Sequence, residues 1–264
     1  MMKLKVATAD RLAILTLADG PRRNLITHEL LKDLNAAIDE AMSSDAVGAL
    51  LIEAEGPDFS AGVDLREMAL LPSQSLEEIE AQTRPLKDLF SRLADPVKPV
   101  IVAVQGAAMG GGCGLACLSS ITLAADNARF ACSEIRLGQF PFLIMPALRR
   151  AVGDRRALEL SLSGRTIGAE EALSLGLVHQ VLPADRLPAE ARRLAQQIAS
   201  SNPDALRIGM QAYHECTGLG IDTALEKNLK FRAMCIQSPN AEEGIRAFLE
   251  KRRPVWGGVY RSVP

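Results

Sequence analysis

The chain has 264 residues, 48% of them hydrophobic and 23% charged, with a formal charge of −2. That balance belongs to a globular protein with room for one large domain, or a domain plus an appendage. Near-neutral charge, no dense basic block and only 4% aromatics leave no electrostatic footprint for nucleic acid and no base-stacking platform. Five cysteines at irregular spacing, and a start interrupted by Lys3, Lys5, Asp10 and Arg11 where a secretory segment would be apolar, predict free thiols in a reducing, cytoplasmic setting.

Residues 3–8 and 11–17 alternate apolar and polar around Asp10-Arg11 and predict a hairpin. From 24 to 42 the period is helical, with Leu30, Leu31, Leu34, Ile38 and Met42 on one side and Thr27 as N-cap. Residues 49–52 predict a buried strand that runs into a turn-rich loop, 55–64. A helix is predicted over 75–93, closed by Asp95-Pro96.

The stretch from Lys98 to Glu134 organises the rest. Pro-Val-Ile-Val-Ala-Val reads as a strand buried on both faces. Gly110, Gly111 and Gly112 follow, then a short apolar helix over 113–118 and a second β-rich run, 121–125. A strand, a glycine turn and a helix N-terminus present free backbone N–H groups, and glycine lets a ligand lie against the main chain. The pattern points to an anion or oxyanion site, with the carboxylate of Glu134 one strand later. A packed helix with no ligand is the rival reading of this stretch alone.

No charge falls between Pro99 and Ala125, but five glycines, Gln105 and a Ser/Thr cluster break that run into pieces too short for a membrane span. No Gly-Lys-Ser/Thr closes the turn, and contiguous glycines do not make a dinucleotide fingerprint. Cys113 and Cys117 lie one helical turn apart but lack partners for a metal site, so none is expected. His28, His179 and His214 stand in separate elements with no nucleophile elbow beside them.

Residues 137–142 are apolar but irregular. Beyond them helices are predicted at 155–162, 169–175, 186–200, 203–215, 220–236 and 240–250, with a last strand at 178–182. A strand-rich first half and a helix-only end predict an α/β core over 1–200 and a helical region over 201–264.

Four blocks together resemble the crotonase family, the enoyl-CoA hydratases and isomerases. They are residues 59–68 (Phe-Ser-Ala-Gly-Val-Asp-Leu-Arg-Glu-Met), 98–101 through 110–113, 164–172 with Gly176-Leu177-Val178, and 243–252. The resemblance implies a spiral of β-β-α turns with C-terminal helices that assemble trimers, usually paired into hexamers. It implies an acyl-CoA thioester substrate, with coenzyme A present only as part of that substrate and no separate cofactor. The thioester oxygen would sit between the backbone N–H groups of Val63 and Gly111, with Glu134 as the acid–base. Ala61, Asp64, Leu65 and Arg66 fall at coenzyme A-binding positions. Phe248 and Lys251 match positions that reach coenzyme A from the C-terminal helix, often across a subunit contact. A homotrimer or dimer of trimers is expected, with no nucleic-acid or membrane partner.

The departure from the pattern is Gly114. Family hydratases carry a glutamate directly after Gly-Gly-Gly-Cys and a second one later, and only the later one, Glu134, is kept here. Adding water needs one group to activate it and usually another for the proton at the α-carbon, whereas moving a double bond from C3–C4 to C2–C3 needs one carboxylate. The sequence thus favours a 3-enoyl-CoA to 2-enoyl-CoA isomerase. A 2-enoyl-CoA hydratase is the alternative, and a catalytically silent acyl-CoA-binding protein is the alternative of another class. Helical propensity would accept Glu at position 114, given room for the side chain. Phe140, Phe142, Met145 and Trp256 are candidates to line or lid an acyl pocket.

Overall fold

The computed structural model describes residues 3–257. Its main sheet has six strands. Leu4–Ala9 and Leu12–Leu17 form the antiparallel hairpin; Leu12–Leu17 then pairs in parallel with Ala49–Ala54, which leads to Val100–Val104, Ile121–Ala125 and Gln180–Leu182. Parallel neighbours need crossovers, and the helices His28–Ser43, Leu76–Ala94 and Gly111–Leu118 supply them.

Both faces of this sheet are covered, which explains the unbroken apolar runs. Leu50, Ile52, Val100, Val102 and Val104 face one core together with Leu30, Leu34, Ile38, Leu89 and Leu93 from the first two of those helices. The alternate residues Leu51, Ile101, Ala103, Leu123 and Ala125 face the other way, onto Leu187, Ala191, Ala195 and Ala199 of the helix Leu187–Ala199. The period of two is intact; it is hidden in the sequence because both sides are dry.

A second sheet joins Ala107–Met109, Arg129–Ala131 and Ile167–Gly168. Isolated parallel bridges extend its line, Ser60 to Ala108 and Ile26 to Val63. Each turn of the chain therefore lays down a long strand, then a short strand or bridge, then a helix. This is the spiral of β-β-α turns expected from the sequence. Strands of two or three residues carry no readable period, so this second sheet went unpredicted. The helix Ile144–Val152 was also unpredicted. Pro146 is its third residue, where a missing N–H removes no intrahelical bond.

From Pro203 on the described chain is helical: Pro203–Cys216, Ile221–Ile236 and Pro239–Leu249 pack on one another. Leu219, Ile221, Leu225, Leu229, Ile236, Ile245, Phe248 and Leu249 are left exposed. The chain end is held by Glu243, whose carboxylate accepts bonds from Arg252, the Val255 N–H and Arg246. Those bonds, the Arg252 guanidinium first, hold its pKa far below the usual carboxylate range. Trp256 Nε1 donates to Ser200 O at 2.7 Å, so this candidate pocket lid is tied to the helical end instead.

The 55–64 loop is rigidly hung. Asn24 Nδ2 donates to the Glu55 and Asp58 carbonyls, each at 2.9 Å. Phe59 N–H donates to Gln105 O, Ser60 N–H to Ala107 O, and Met109 N–H back to Ser60 O. The buried Asp58 carboxylate accepts the Ala107 N–H and Arg23 Nε, both at 2.7 Å. Burial alone would raise its pKa, but the Arg23 and Ala107 bonds outweigh it and the net shift is downward. Its contribution is therefore complete above the unfolded aspartate value and is lost as pH falls through the lowered folded one. Asp58→Ala leaves the Ala107 N–H without its acceptor, and a loss of about 1–3 kcal/mol is expected. Urea denaturation at pH 7 checks this: the midpoint should fall with an unchanged m-value, and an unmoved midpoint would contradict it.

Candidate active site

Two turns meet at the centre of the spiral. The first is residues 60–64. Ser60, fully buried, donates its hydroxyl to Asn24 O at 2.8 Å and accepts the Gly62 N–H at 3.2 Å. Gly62 has φ +89°, and a Cβ there would stand 2.8 Å from Met109 O. Only glycine allows both that backbone conformation and that approach. The Ile26 N–H donates to Gly62 O and the Asp64 N–H to Ile26 O, so the intervening Val63 N–H has no partner among the described residues.

The second turn is Met109 to Gly112. Gly110 has φ +51° and is the N-cap of the helix Gly111–Leu118. The first intrahelical bond of that helix runs from the Gly114 N–H to Gly110 O, at 3.0 Å. The Gly111 N–H precedes it, at the positive end of the helix with no intrahelical acceptor. A Cβ on Gly111 would stand 3.8 Å from Val63 Cγ2, which places the two turns side by side. The turns that carry the two N–H groups singled out in the sequence are thus neighbours in the fold.

Glu134 lies in the short 3-10 helix Ser133–Leu137 that follows Arg129–Ala131. The Gly110 N–H bonds Ala131 O at 2.8 Å, which clamps the glycine turn to that strand. A Cβ on Gly110 would stand 2.7 Å from Glu134 Oε1, so the carboxylate lies directly over the glycine turn. Its Oε2 is buried and has no hydrogen-bond partner. Burial raises the pKa of this carboxyl, offset only in part by a backbone N–H. No ion pair joins Glu134 to Arg136, two residues on, among the described residues.

The Cys113 and Cys132 thiols lie near this carboxylate. Contact with Cys117, offset in part by that with Cys132, pushes the Cys113 thiol up, and contact with Cys113 pushes up Cys132. Burial and the Glu134 charge add to both, which stand well above the usual thiol range. They are neutral packing groups. No cluster of three or more His, Cys, Asp or Glu able to hold a metal occurs among the described residues.

The remaining candidates divide. Ala61 is held in the loop by its N–H to Arg23 O at 2.9 Å. Asp64 is buried and fully engaged: it caps the short helix Leu65–Met68 through the Arg66 N–H at 2.9 Å and pairs with Arg22 at 2.7 Å. The Arg66 N–H, then the Arg66 and Arg22 charges, hold its pKa low. Leu65 is exposed, and the Arg66 side chain is 76% exposed with a 3.3 Å contact to Asp64. Phe248, 81% exposed, and Lys251, at φ +54°, sit at the far end of Pro239–Leu249. No hydrogen bond or ion pair among the described residues joins them to the 60–66 loop. Phe142 is 73% exposed and its ring meets Phe140 at 5.4 Å.

Three residues escaped the sequence reading. Asn24 belongs to no motif, and Ser60, though inside the 59–68 block, was given no role; they matter because their side-chain polar atoms are buried and paired beneath the first turn. The third is Phe90. A Cβ on Gly114 would fall inside contact distance of Phe90 Cζ and 2.8 Å from Cε2. The expectation that the helix would accept Glu at 114 is therefore corrected: propensity permits it, but the ring occupies the space.

Known proteins share this fold. The family model described as enoyl-CoA hydratase/isomerase matches residues 8–259. A 2,3-dehydroadipyl-CoA hydratase of Escherichia coli K12 is 34% identical over 264 residues, covering 98% of this chain and all of the relative. Solved structures of an enoyl-CoA hydratase from Mycobacterium smegmatis and of human enoyl coenzyme A hydratase domain-containing protein 3 superpose with TM-scores of 0.90, each at 30% identity over 97% of this chain and 99% and 100% of theirs. The chain belongs to the enoyl-CoA hydratase/isomerase family, the crotonase-fold enzymes that act on coenzyme A thioesters.

The unpartnered, buried carboxylate has a consequence for stability. A raised folded pKa means that ionised Glu134 costs stability at neutral pH, a cost relieved as pH falls through the folded value. Glu134→Gln removes that cost and the proton acceptor together. The variant should unfold at the same temperature as wild type or higher, while kcat on an acyl-CoA substrate falls about 10²–10⁴-fold. Calorimetry and steady-state rates on the same preparation check both halves; a destabilised variant or an unchanged kcat contradicts this electrostatic reading.

Proposed function

We propose that the chain isomerises 3-enoyl-CoA to 2-enoyl-CoA thioesters through an enolate. In this reading the thioester oxygen accepts the Val63 and Gly111 N–H groups, whose lack of other partners supports the assignment. Ionised Glu134 removes a proton from C2, charge moves onto the thioester oxygen, and the same carboxyl returns the proton at C4. Each main-chain donor contributes stabilisation on the order of 2.7–4 kcal/mol as the enolate forms. A carboxyl whose pKa burial has raised suits both halves, since it is a stronger base toward C2 and still an acid toward C4. The observation that carries the reading is that Glu134 stands alone: no other charged side chain shifts its pKa, and Phe90 fills the seat beside Gly114.

Hydration of 2-enoyl-CoA is the second reading, favoured by the names of the relatives, which are hydratases. A silent acyl-CoA-binding protein is the third. A panel of 2-enoyl- and 3-enoyl-CoA esters in deuterated water separates them. Isomerisation predicts conversion of the 3-enoyl ester, with deuterium at C4 at most where the proton exchanges before return, and slow hydration. Brisk hydration of the 2-enoyl ester, or no turnover of either, rejects the proposal.

The region 201–264 is proposed to be the assembly surface, and Arg66, Phe248 and Lys251 to contact coenzyme A once subunits associate. The exposed apolar side chains of these helices, Leu225, Leu229 and Phe248 among them, support it. Soluble monomers rarely leave so extended an apolar face open. Light scattering at micromolar concentration should return a mass three or six times the 28.3 kDa of the chain. A monodisperse monomer contradicts the assembly. No helix among the described residues is long and apolar enough to cross a membrane.

A further inference from the structure

We infer that Phe90 is the residue that sets which reaction this site performs: its ring occupies the seat beside Gly114 that a second acid–base side chain needs, and leaves Glu134 to work alone. The inference rests on the isomerase reading and names the side chain that enforces it.

The geometry is specific. Gly111 and Gly114 are three apart on one helix, so their Cα–Cβ directions share a face. On Gly111 that face meets Ile26 Cδ1 at 2.8 Å, Val63 Cγ2 at 3.8 Å and Leu86 Cδ1 at 4.0 Å, measured from an ideal Cβ. On Gly114 it meets the edge of the Phe90 ring, with Cε2 at 2.8 Å and Cε1 at 3.2 Å. Leu86 and Phe90 are themselves one turn apart on Leu76–Ala94, so one ridge of that helix covers both glycines.

The ring is not a movable flap. Phe90 is 6% exposed, and its neighbours Leu89 and Leu93 are fully buried. Asn35 Nδ2 ties this helix to His28–Ser43 through Leu31 O at 2.8 Å and Pro85 O at 3.0 Å. A side chain longer than hydrogen at 114 therefore competes with a fixed aromatic ring. The pairing is reciprocal, because glycine at 114 is what lets the ring lie on the helix backbone.

Chemistry gives the position its weight. Hydration joins a water oxygen to C3 and a proton to C2, so one group takes the proton from water while a proton is delivered at C2. Two acid–base side chains divide those tasks. A hydrocarbon surface in one of the two places can neither orient water nor hold a charge. Emptying the seat is insufficient, because a cavity lined by Leu and Phe side chains stays dry. A change of reaction requires removing the ring and supplying a carboxylate in one step.

Four proteins test this: wild type, Gly114→Glu, Phe90→Ala/Gly114→Glu, and Phe90→Ala/Gly114→Leu as a filler of similar bulk without charge. Each is given trans-2-hexenoyl-CoA and trans-3-hexenoyl-CoA, and the ratio of hydration to isomerisation is read by mass spectrometry and NMR. The Glu double variant should raise that ratio about 10-fold or more over wild type, as an added acid–base group permits. The Leu double variant should keep the wild-type ratio. Gly114→Glu alone should show no gain or fail to fold, either of which places the ring in the way. Equal ratios in the two double variants overturn the inference, as does a gain in Gly114→Glu matching that of the Glu double variant. If the larger exchanges do not fold, Phe90→Leu/Gly114→Asp against Phe90→Leu/Gly114→Val makes the same comparison with a smaller change of volume, and equal ratios there overturn the inference in the same way. Wild type alone decides the isomerase reading, and the contrast among variants decides Phe90, so the two fail separately.

Discussion

The structure turns on the close approach of Gly62 to the Met109 carbonyl. Two loops separated by nearly fifty residues, residues 60–64 and 109–112, can touch only because no Cβ stands between them. That contact sets the Val63 and Gly111 turns side by side, and the rest of the fold holds it in place. The Ser60 hydroxyl braces the first loop through Asn24 O and the Gly62 N–H, and the Asn24 amide and Asp58 carboxylate hold the chain that leads into it. The Gly110 N–H bond to Ala131 O holds the second loop to the strand that delivers Glu134. Main-chain donors held rigidly would need no reorganisation as negative charge develops, which is what the proposed oxyanion role asks of them.

Glu134 is the opposite kind of feature. Its Oε2 is buried without a hydrogen-bond partner. A polar atom left so costs free energy. Here the atom belongs to a carboxyl among neutral thiols and glycine backbone, where a raised pKa would serve proton transfer and does not serve stability. Asp64 and Glu243 show the contrast. Each is surrounded by donors that favour its charged form and has a lowered pKa, whereas burial raises that of Glu134. Donors hold the first two carboxyls low, and burial without a partner for Oε2 holds the third high.

Much of the fold was legible in the amino-acid order. The hairpin, the Thr27 cap, the buried strands and the C-terminal helices follow from local periodicity and capping chemistry, which act over a few residues and leave their mark in the sequence. The glycine turn and Glu134 could be singled out because residue types at short spacing declare a backbone site. The second sheet was not legible, because its strands are two or three residues long and exist only through pairing with neighbours.

By itself the sequence determined the two-sided burial of the central strand, the glycine turn entering a helix, and the presence of one carboxylate where two would be usual. Tertiary structure decided what the missing carboxylate was replaced by. Gly114 in the sequence is only an absence, open to a water, another polar group or nothing. Phe90 stands twenty-four residues earlier on another helix, in an ordinary apolar stripe that reads as core, and only packing of one helix on the other lays its ring on Gly114. Side-chain proximity between distant segments is a property of the folded surface, and no local pattern encodes it.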